Sequence, residues 1–118
     1  MPLPAPPPAD AILDHLVDAV CVVDAHGRFV YNNPACEALL GYSPAELRGM
    51  CMIELVHPDD RGRTLQKVGT IMSGEPAIRF HNRYLRRDGG VVNIEWSARW
   101  SDAHQARFAV GRAILVRG

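Results

Sequence analysis

Three proline-marked helix starts lie between two strand-rich stretches, and this order constrains the fold more than any single residue does. The starts are Asn33-Pro34, Ser43-Pro44 and His57-Pro58. Proline suits the first position of a helix because its missing N–H would have no partner there, and each of these prolines follows a residue that can cap a helix. We therefore predict two strands, several short helices, one longer helix and then three strands.

The second proline gives the sharpest helical prediction. Ser43 and Glu46 have the spacing of a capping box, which predicts a helix over Pro44–Arg48 that stops at Gly49. The other predicted helices are Ala35–Leu40, a turn within Met50–Val56 and a long helix from Pro58 to about Ser73. In this long helix, apolar residues recur with helical spacing at Leu65, Val68 and Met72.

The amino end divides into a proline-rich lead and an amphipathic helix. The prolines among the first eight residues predict a disordered lead over residues 1–9, followed by one folded domain over residues 10–118. After Asp10, apolar and polar residues fall on opposite sides of a helix. The apolar side consists of Ile12, Leu13, Leu16 and Val17.

Strands are predicted on both sides of the helices. Ala19–Asp24 is a β-branched run, and Arg28–Asn32 returns from it to form a hairpin. At the carboxyl end, Arg107–Val116 supplies a final strand.

The strongest strand signal is a long hairpin before that final strand. Apolar and polar residues alternate over Val92–Trp100 and over Ile78–Tyr84, and the two arms fold about Asp88-Gly89. Such alternation is typical of a half-buried antiparallel sheet. The predicted register places three charged residues on one face: Arg79, Arg83 and Glu95.

Charge and composition disfavour several classes of partner. The 118 residues include 13 basic and 13 acidic side chains, so bulk charge favours neither nucleic acid nor a membrane surface. No apolar run approaches the roughly 20 residues that cross a bilayer, and we expect a cytoplasmic protein. Cys21, Cys36 and Cys51 lack metal-ligand spacing and are interpreted as reduced hydrophobic residues.

Catalysis finds little support in the sequence. His57, Asp59 and Asp60 could form a metal or acid–base site, but adjacent carboxylates at a helix start more often complement the helix dipole. We therefore predict a protein that is not an enzyme and has no metal site. The alternative, a small ligand-converting enzyme, would show turnover that is lost in His57→Ala.

Four motifs in this order resemble the PAS domain, the small sensory and protein-interaction module of signalling proteins. They are Asn33-Pro34-Ala35, Leu40–Leu47, His57–Arg61 and Arg86–Gly89 before a strand that contains Trp96. The resemblance runs from about Ile12 to Val116. It implies an α+β fold in which a five-stranded antiparallel sheet carries short helices and one longer helix on one face, with the N-terminal amphipathic helix in addition.

The resemblance also bears on cofactors, because family members that bind them carry residues that this chain lacks. Flavin photosensors have a reactive cysteine in a Gly-Arg-Asn-Cys-Arg-Phe-Leu-Gln run, and Met52 stands in its place here. Haem-binding members use a histidine of the long helix, and residues 58–73 contain none. The cofactor is left unknown, with haem and a flavin adduct both disfavoured. The amides that hold the flavin are replaced by Tyr84, Ile94 and Ala113.

An inner pocket follows from the resemblance and the strand register. Small residues on the last strand could leave space beside Trp96, although inward-leaning helices could equally fill it. A buried Asn82 or Tyr84 needs a hydrogen-bond partner, which a small and largely apolar ligand, water or the backbone could supply. The predicted lining is Cys21, Val23, Met52, Leu55, Asn82, Tyr84, Ile94, Trp96 and Ala113, with Ala109 and Gly111 beside them.

The opposite face of the sheet predicts a second function. Its apolar residues would be covered by the amphipathic helix, either within one chain or from a neighbour. We expect a two-fold homodimer, with packing inside one chain as the alternative. The predicted interface is Ile12, Leu13, Leu16, Val17, Val20, Val22, Phe108, Val110 and Ile114.

Together these features predict a cytoplasmic sensory module of a larger signalling protein, in a two-component or similar system. It would bind a ligand, dimerise, or do both, and so regulate a carboxyl-terminal effector such as a histidine kinase, a cyclic-dinucleotide enzyme or a transcription regulator. The alternative is a docking module without a ligand. Family members often leave the last strand through Asp-Ile-Thr, whereas this chain has Leu115-Val116-Arg117, so the usual coupling contact is not expected.

Overall fold

The computed structural model describes residues 2–115 and confirms the predicted α+β fold. Its antiparallel sheet has the strand order β2-β1-β5-β4-β3. Buried residues of the sheet and of three short helices form one core. The elements are α1 Ala9–Asp14, β1 Ala19–Asp24, β2 Phe29–Asn32, α2 Ala35–Leu40, α3 Pro44–Leu47, α4 Met52–Leu55, a turn of 3₁₀ helix Pro58–Asp60, α5 Arg61–Met72, β3 Ala77–Leu85, β4 Val91–Ser101 and β5 Ala106–Ala113.

Two of the three proline-marked helix starts are capped by the preceding side chain. Ser43 Oγ accepts a hydrogen bond from Glu46 N at 3.1 Å, and Glu46 Oε1 accepts one from Ser43 N at 3.0 Å, which confirms the capping box. His57 Nδ1 accepts from Asp59 N at 3.1 Å. These short-range bonds satisfy backbone N–H groups that have no partner inside the helix.

Asn33, the third predicted cap, has a different role. The prediction that its side chain caps α2 is wrong, since no side-chain cap is present there. The Asn33 side chain is fully buried, and its Oδ1 accepts from Val20 N at 2.8 Å. Its Nδ2 donates to the carbonyls of Leu13 and Asp18, each at 3.1 Å. Asn33 therefore ties the segment between α1 and β1 to the body of the domain.

The N-terminal helix is shorter and begins earlier than predicted. It starts at Ala9, within the predicted lead, and ends at Asp14, so Leu16 and Val17 lie beyond it. The Leu13 carbonyl accepts from Leu16 N at 3.3 Å, in a tighter turn than that of an α-helix, and from Asn33 Nδ2 at 3.1 Å. None of the residues of α1 is buried.

A bulge in β3 changes the predicted register of the long hairpin. Ala77 pairs with Ala98, and Phe80 pairs with Trp96, so β3 contains one residue more than β4 between these pairs. Arg79 has the positive φ of 57°. The bulge buries Ala77 and leaves Ile78 77% exposed, so the predicted alternation is wrong at Ile78.

The charged residues of the hairpin also pair differently from the prediction. Glu95 binds His81 at 3.1 Å and Arg112 at 2.9 Å, because the observed register sets His81 opposite Glu95. Arg83 instead donates to Asp60, through its guanidinium at 2.8 Å and its backbone N–H at 2.8 Å. The Arg83 hydrogen bonds hold the pKa of Asp60 down at about 2. Asp60 therefore fixes the start of α5 to the edge strand.

The last strand is shorter than predicted. The last strand was predicted over Arg107–Val116 and is observed as Ala106–Ala113. Val116 and Arg117 lie outside the described residues, as does Met1 of the predicted lead. Within residues 2–115, no helix has the length and apolar character needed to cross a membrane.

Candidate functional site

A cavity of about 40 Å³ lies between α5 and the inner face of the sheet. This volume is enough for one or two water molecules, whereas pockets for drug-sized ligands are about 300–1,000 Å³. Four strands and two helices contribute to its wall. The lining residues are Cys21, Val23, Met52, Thr64, Lys67, Val68, Ile71, Ala77, Phe80, Asn82, Tyr84, Trp96, Ala98, Arg107 and Ala109.

Most of the predicted pocket residues lie at this cavity, and three do not. Leu55 and Ile94 are buried in the adjoining core without lining it. Ala113 lies on the same face of the sheet as Ile94 but is exposed and does not line the cavity. It pairs with Ile94 near the end of β5, where the sheet has passed beyond the cavity. The predicted residues that do line the cavity are Cys21, Val23, Met52, Asn82, Tyr84 and Trp96.

Trp96 packs against Gly111, one of the small residues that were predicted to leave space beside it. The two residues are paired across β4 and β5. A Cβ atom placed on Gly111 would lie 2.5 Å from the Cε3 and Cζ3 atoms of the indole ring. The open space lies instead beside Ala98 and Ala109, which face each other in the same register.

Hydrogen bonds between buried side chains fix Trp96 in this position. Its Nε1 donates to Asn82 Oδ1 at 3.1 Å, and Asn82 Nδ2 donates to Thr64 Oγ1 at 3.1 Å. Both polar ends of the Asn82 amide therefore have protein partners and do not require a ligand. The chain of bonds connects α5 to two strands across one edge of the cavity.

Tyr84 packs beside Trp96 but has no comparable partner for its hydroxyl. The two rings have centroids 5.7 Å apart and planes inclined by 52°. No hydrogen bond of the Tyr84 hydroxyl occurs within residues 2–115, although the residue is buried. Burial raises the pKa of Tyr84, so the phenol stays protonated and can donate.

Arg107 is one of the lining residues that the sequence analysis missed. It is 5% exposed and stands at the start of β5, between Val23 of β1 and Trp100 of β4. Its guanidinium makes no ion pair or hydrogen bond with any residue of the described chain, and desolvation lowers its pKa. The signal was present in the strand alternation, since residues 107, 109 and 111 point to the same face.

The inward face of α5 was also misplaced. The predicted stripe of Leu65, Val68 and Met72 is only partly correct, because Leu65 and Met72 are exposed. The buried face passes through Thr64 and Ile71. Helical spacing fits both faces, and the Thr64–Asn82 hydrogen bond favours the one observed.

The predicted interface residues occupy the amino-terminal segment and the outer face of the sheet. Phe108 and Val110 of β5 are partly exposed there, and Val17 is 93% exposed. Ile78, pushed outward by the bulge, lies with Val110 at a shallow groove on this face. Ile12 and Leu16 are also exposed, whereas Leu13, Val20, Val22 and Ile114 are half-buried.

This chain is similar to short parts of longer signalling proteins. White collar 2 protein of Neurospora crassa is 30% identical over 84 residues, which cover 71% of this chain and 16% of that protein. The probable diguanylate cyclase DgcE of Escherichia coli is 33% identical over 81 residues, which cover 68% of this chain and 7% of that protein. The chain therefore spans less than a fifth of either relative.

Solved structures show the same fold over nearly the whole chain. A domain of a sensory box sensor histidine kinase/response regulator from Geobacter sulfurreducens is 25% identical, with a TM-score of 0.75 over 86% of this chain and 88% of that chain. A PAS domain from Colwellia psychrerythraea is 24% identical, with a TM-score of 0.77 over 91% of this chain and 94% of that chain.

The family match covers most of the chain. The sequence model described as PAS fold matches residues 13–116. This range contains all five strands and every residue that lines the cavity. The chain therefore belongs to the PAS family, whose domains are sensory modules of signalling proteins.

Proposed function

We propose that this chain is the ligand-sensing module of a multidomain signalling protein and that the inner cavity is its sensor site. The observation that carries the proposal is that two buried residues with donor groups, Tyr84 and Arg107, line the cavity and make no side-chain hydrogen bond with residues 2–115. Buried polar groups normally have hydrogen-bond partners, and convergent polar groups in an apolar cavity are typical of a ligand site. A kinase, cyclase or transcription regulator would be the effector, in the cytoplasm.

A ligand of several atoms requires the cavity to enlarge. The flexible side chain of Met52 lines the cavity and can change rotamer to make room. Movement of α5 would also enlarge it, at the cost of straining the Thr64–Asn82 hydrogen bond. Ligand binding is therefore coupled to the position of α5 and, through Asn82, to that of Trp96.

The last strand can carry this change to the opposite face of the sheet. Ala109 and Gly111 of β5 face the cavity and the Trp96 ring, whereas Phe108 and Val110 between them face outward. Because neighbouring residues of a strand point to opposite faces, a shift of β5 alters both surfaces together. The sensor site thereby communicates with whatever binds the outer face.

Filling the cavity is expected to abolish small-molecule binding. Ala109→Leu places a larger side chain in the cavity, and Val110→Leu is the matched control on the outer face. We expect some fragments of two to six non-hydrogen atoms to shift the Trp96 indole N–H resonance and to raise the melting temperature of the wild type. Ala109→Leu should lose both effects, and Val110→Leu should keep them.

Two outcomes would contradict the sensor site. One is a fragment panel that leaves the Trp96 resonance unchanged. The other is an Ala109→Leu protein that binds as the wild type does. Ala98→Val, which narrows the cavity from the facing strand, provides the same test if Ala109→Leu does not fold.

We also propose that the outer face forms a homodimer, because it exposes Ile78, Phe108 and Val110 together. Exposed apolar groups of this kind mark interaction surfaces. The groove beside them contains both acidic and basic side chains, including Asp18 and Arg79. Such a mixed surface can pair with itself about a two-fold axis, since each copy offers both signs of charge.

Sedimentation analysis tests the dimer. The wild type should sediment as a dimer at about 100 µM, a concentration at which interfaces of micromolar affinity are filled. Val110→Lys should sediment as a monomer because it buries a charge in the interface. Leu65→Lys, an exposed position on α5, should leave the dimer unchanged. A monomeric wild type would refute the homodimer, and a dimer that retains no fragment would favour a docking module.

A further inference from the structure

The charged groups of the cavity wall are all cationic. Arg107 lies in the cavity wall, and Lys67 lines it from α5, with its Nζ 5.9 Å from the centroid of the Phe80 ring. No aspartate or glutamate is among the lining residues that the structure describes. Such an imbalance inside a low-dielectric space raises the local concentration of anions.

Arg107 in particular lacks the partner that a buried arginine ordinarily has. Within residues 2–115, no carboxylate lies within 4 Å of its guanidinium, and no backbone carbonyl accepts from it. Arg83 and Arg112, by contrast, form ion pairs with Asp60 and Glu95. A buried charge is favourable only when it is paired, and the planar guanidinium fork fits a carboxylate with two parallel hydrogen bonds.

Two further donors line the same cavity. They are the hydroxyl of Tyr84 and the thiol of Cys21. Burial raises the pKa of Tyr84 and raises that of Cys21 to about 12, so both groups keep their protons at neutral pH. Tyr84 and Cys21 therefore offer hydrogen-bond donors to a ligand. The Asn82 amide offers none, because both of its ends are already bonded.

We infer that the cavity binds the carboxylate of a small aliphatic acid, with Arg107 as the anion-binding residue and Tyr84 as a supporting donor. The apolar remainder of the wall, including Val23 and Met52, receives the short hydrocarbon part of the acid. This inference rests on the proposed function, since it names the ligand class of the same site. It adds a charged group to the largely apolar ligand expected from the sequence.

Propionate and propionamide give the sharpest test, because they have the same number of non-hydrogen atoms and differ in charge. We expect propionate to bind at least about tenfold more tightly than propionamide, since hydrogen bonds to a charged group are the stronger ones. Titration of the ¹⁵N-labelled chain should shift the Trp96 indole N–H resonance. The backbone N–H resonance of Gly49 serves as an internal reference, because Gly49 does not line the cavity and its N–H donates to the Phe29 carbonyl.

Arg107→Met removes the charge and keeps an unbranched side chain. We expect it to lose propionate binding and, without added acid, to melt at or above the temperature of the wild type, because an unpaired buried charge has been removed. Arg99→Met is the control from the outer face and should bind propionate normally. Arg107→Lys and Tyr84→Phe should each weaken binding, and they keep the test decisive if Arg107→Met does not fold.

The outcomes separate this inference from the proposed function. Equal binding of propionate and propionamide, or unchanged propionate binding by Arg107→Met, would overturn the carboxylate assignment and leave the sensor site standing. Sodium chloride that produced the same Arg107-dependent shift would also overturn it, in favour of a simple halide site. If neither propionate, propionamide nor any neutral fragment shifts Trp96, both proposals fail.

Discussion

Asn33→Ala is expected to destabilise the domain by about 3 kcal/mol or more, because each buried group that loses its hydrogen-bond partner costs about 1–3 kcal/mol. The substitution removes the acceptor of Val20 N and the donor to the Leu13 and Asp18 carbonyls. It also leaves a gap at a fully buried position. Urea unfolding at neutral pH, followed by circular dichroism, measures the loss as a lower midpoint.

Asn93→Ala is the matched control for this prediction. Asn93 lies on β4 and is only half-buried, and its side chain makes no hydrogen bond with the rest of the described chain. We expect a change within about 0.5 kcal/mol, as for most surface substitutions. Equal midpoints for Asn33→Ala and Asn93→Ala would show that the Asn33 bonds contribute little. Asn33→Asp, which keeps an acceptor but loses the amide donor, should also be destabilised.

Local rules predicted much of the secondary structure. Ala19–Asp24 and Ala35–Leu40 were predicted with the bounds that the structure gives. The α3 start was correct because the Ser43–Glu46 capping box depends on residues only three positions apart. Such elements are fixed by neighbours in the sequence, and the pattern of those neighbours is visible without a structure.

The errors occur where a distant residue decides the local structure. Asn33 donates to the Leu13 and Asp18 carbonyls and fixes the segment that follows α1. Thr64 bonds to Asn82 and selects the buried face of α5. The bulge at Arg79 adds one residue to β3 and reverses the orientation of Ile78. Alternation and helical spacing describe a segment alone and do not contain these contacts.

The candidate site was predicted in part for the same reason. Period-two alternation placed Cys21, Asn82 and Trp96 correctly on the inner face. The same alternation points Arg107 inward, but an arginine near a strand end is ordinarily expected at the surface. Only the folded chain shows that this charge is buried at a cavity without a counterion among the described residues.

Gly111→Ala is expected to destabilise the domain by about 3 kcal/mol and to disturb the sensor cavity. The new methyl group would lie 2.5 Å from two ring carbons of Trp96, so the buried indole must move. Overpacking of a core typically costs about 1–3 kcal/mol, and loss of the Trp96 bond to Asn82 Oδ1 adds the cost of an unpaired buried acceptor. Urea unfolding gives the energy, and the Trp96 indole N–H resonance reports the displacement.

Gly69→Ala distinguishes this steric effect from the general effect of replacing glycine. Gly69 lies in α5, and a Cβ atom there would meet no atom within 4 Å. Alanine should therefore stabilise the helix by about 0.5–1 kcal/mol. The two variants are expected to change stability in opposite directions, and only Gly111→Ala should shift the Trp96 resonance. A Gly111→Ala protein as stable as the wild type, with Trp96 unmoved, would show that the indole does not rest on β5, and the proposed coupling of the cavity to that strand would lose its physical basis.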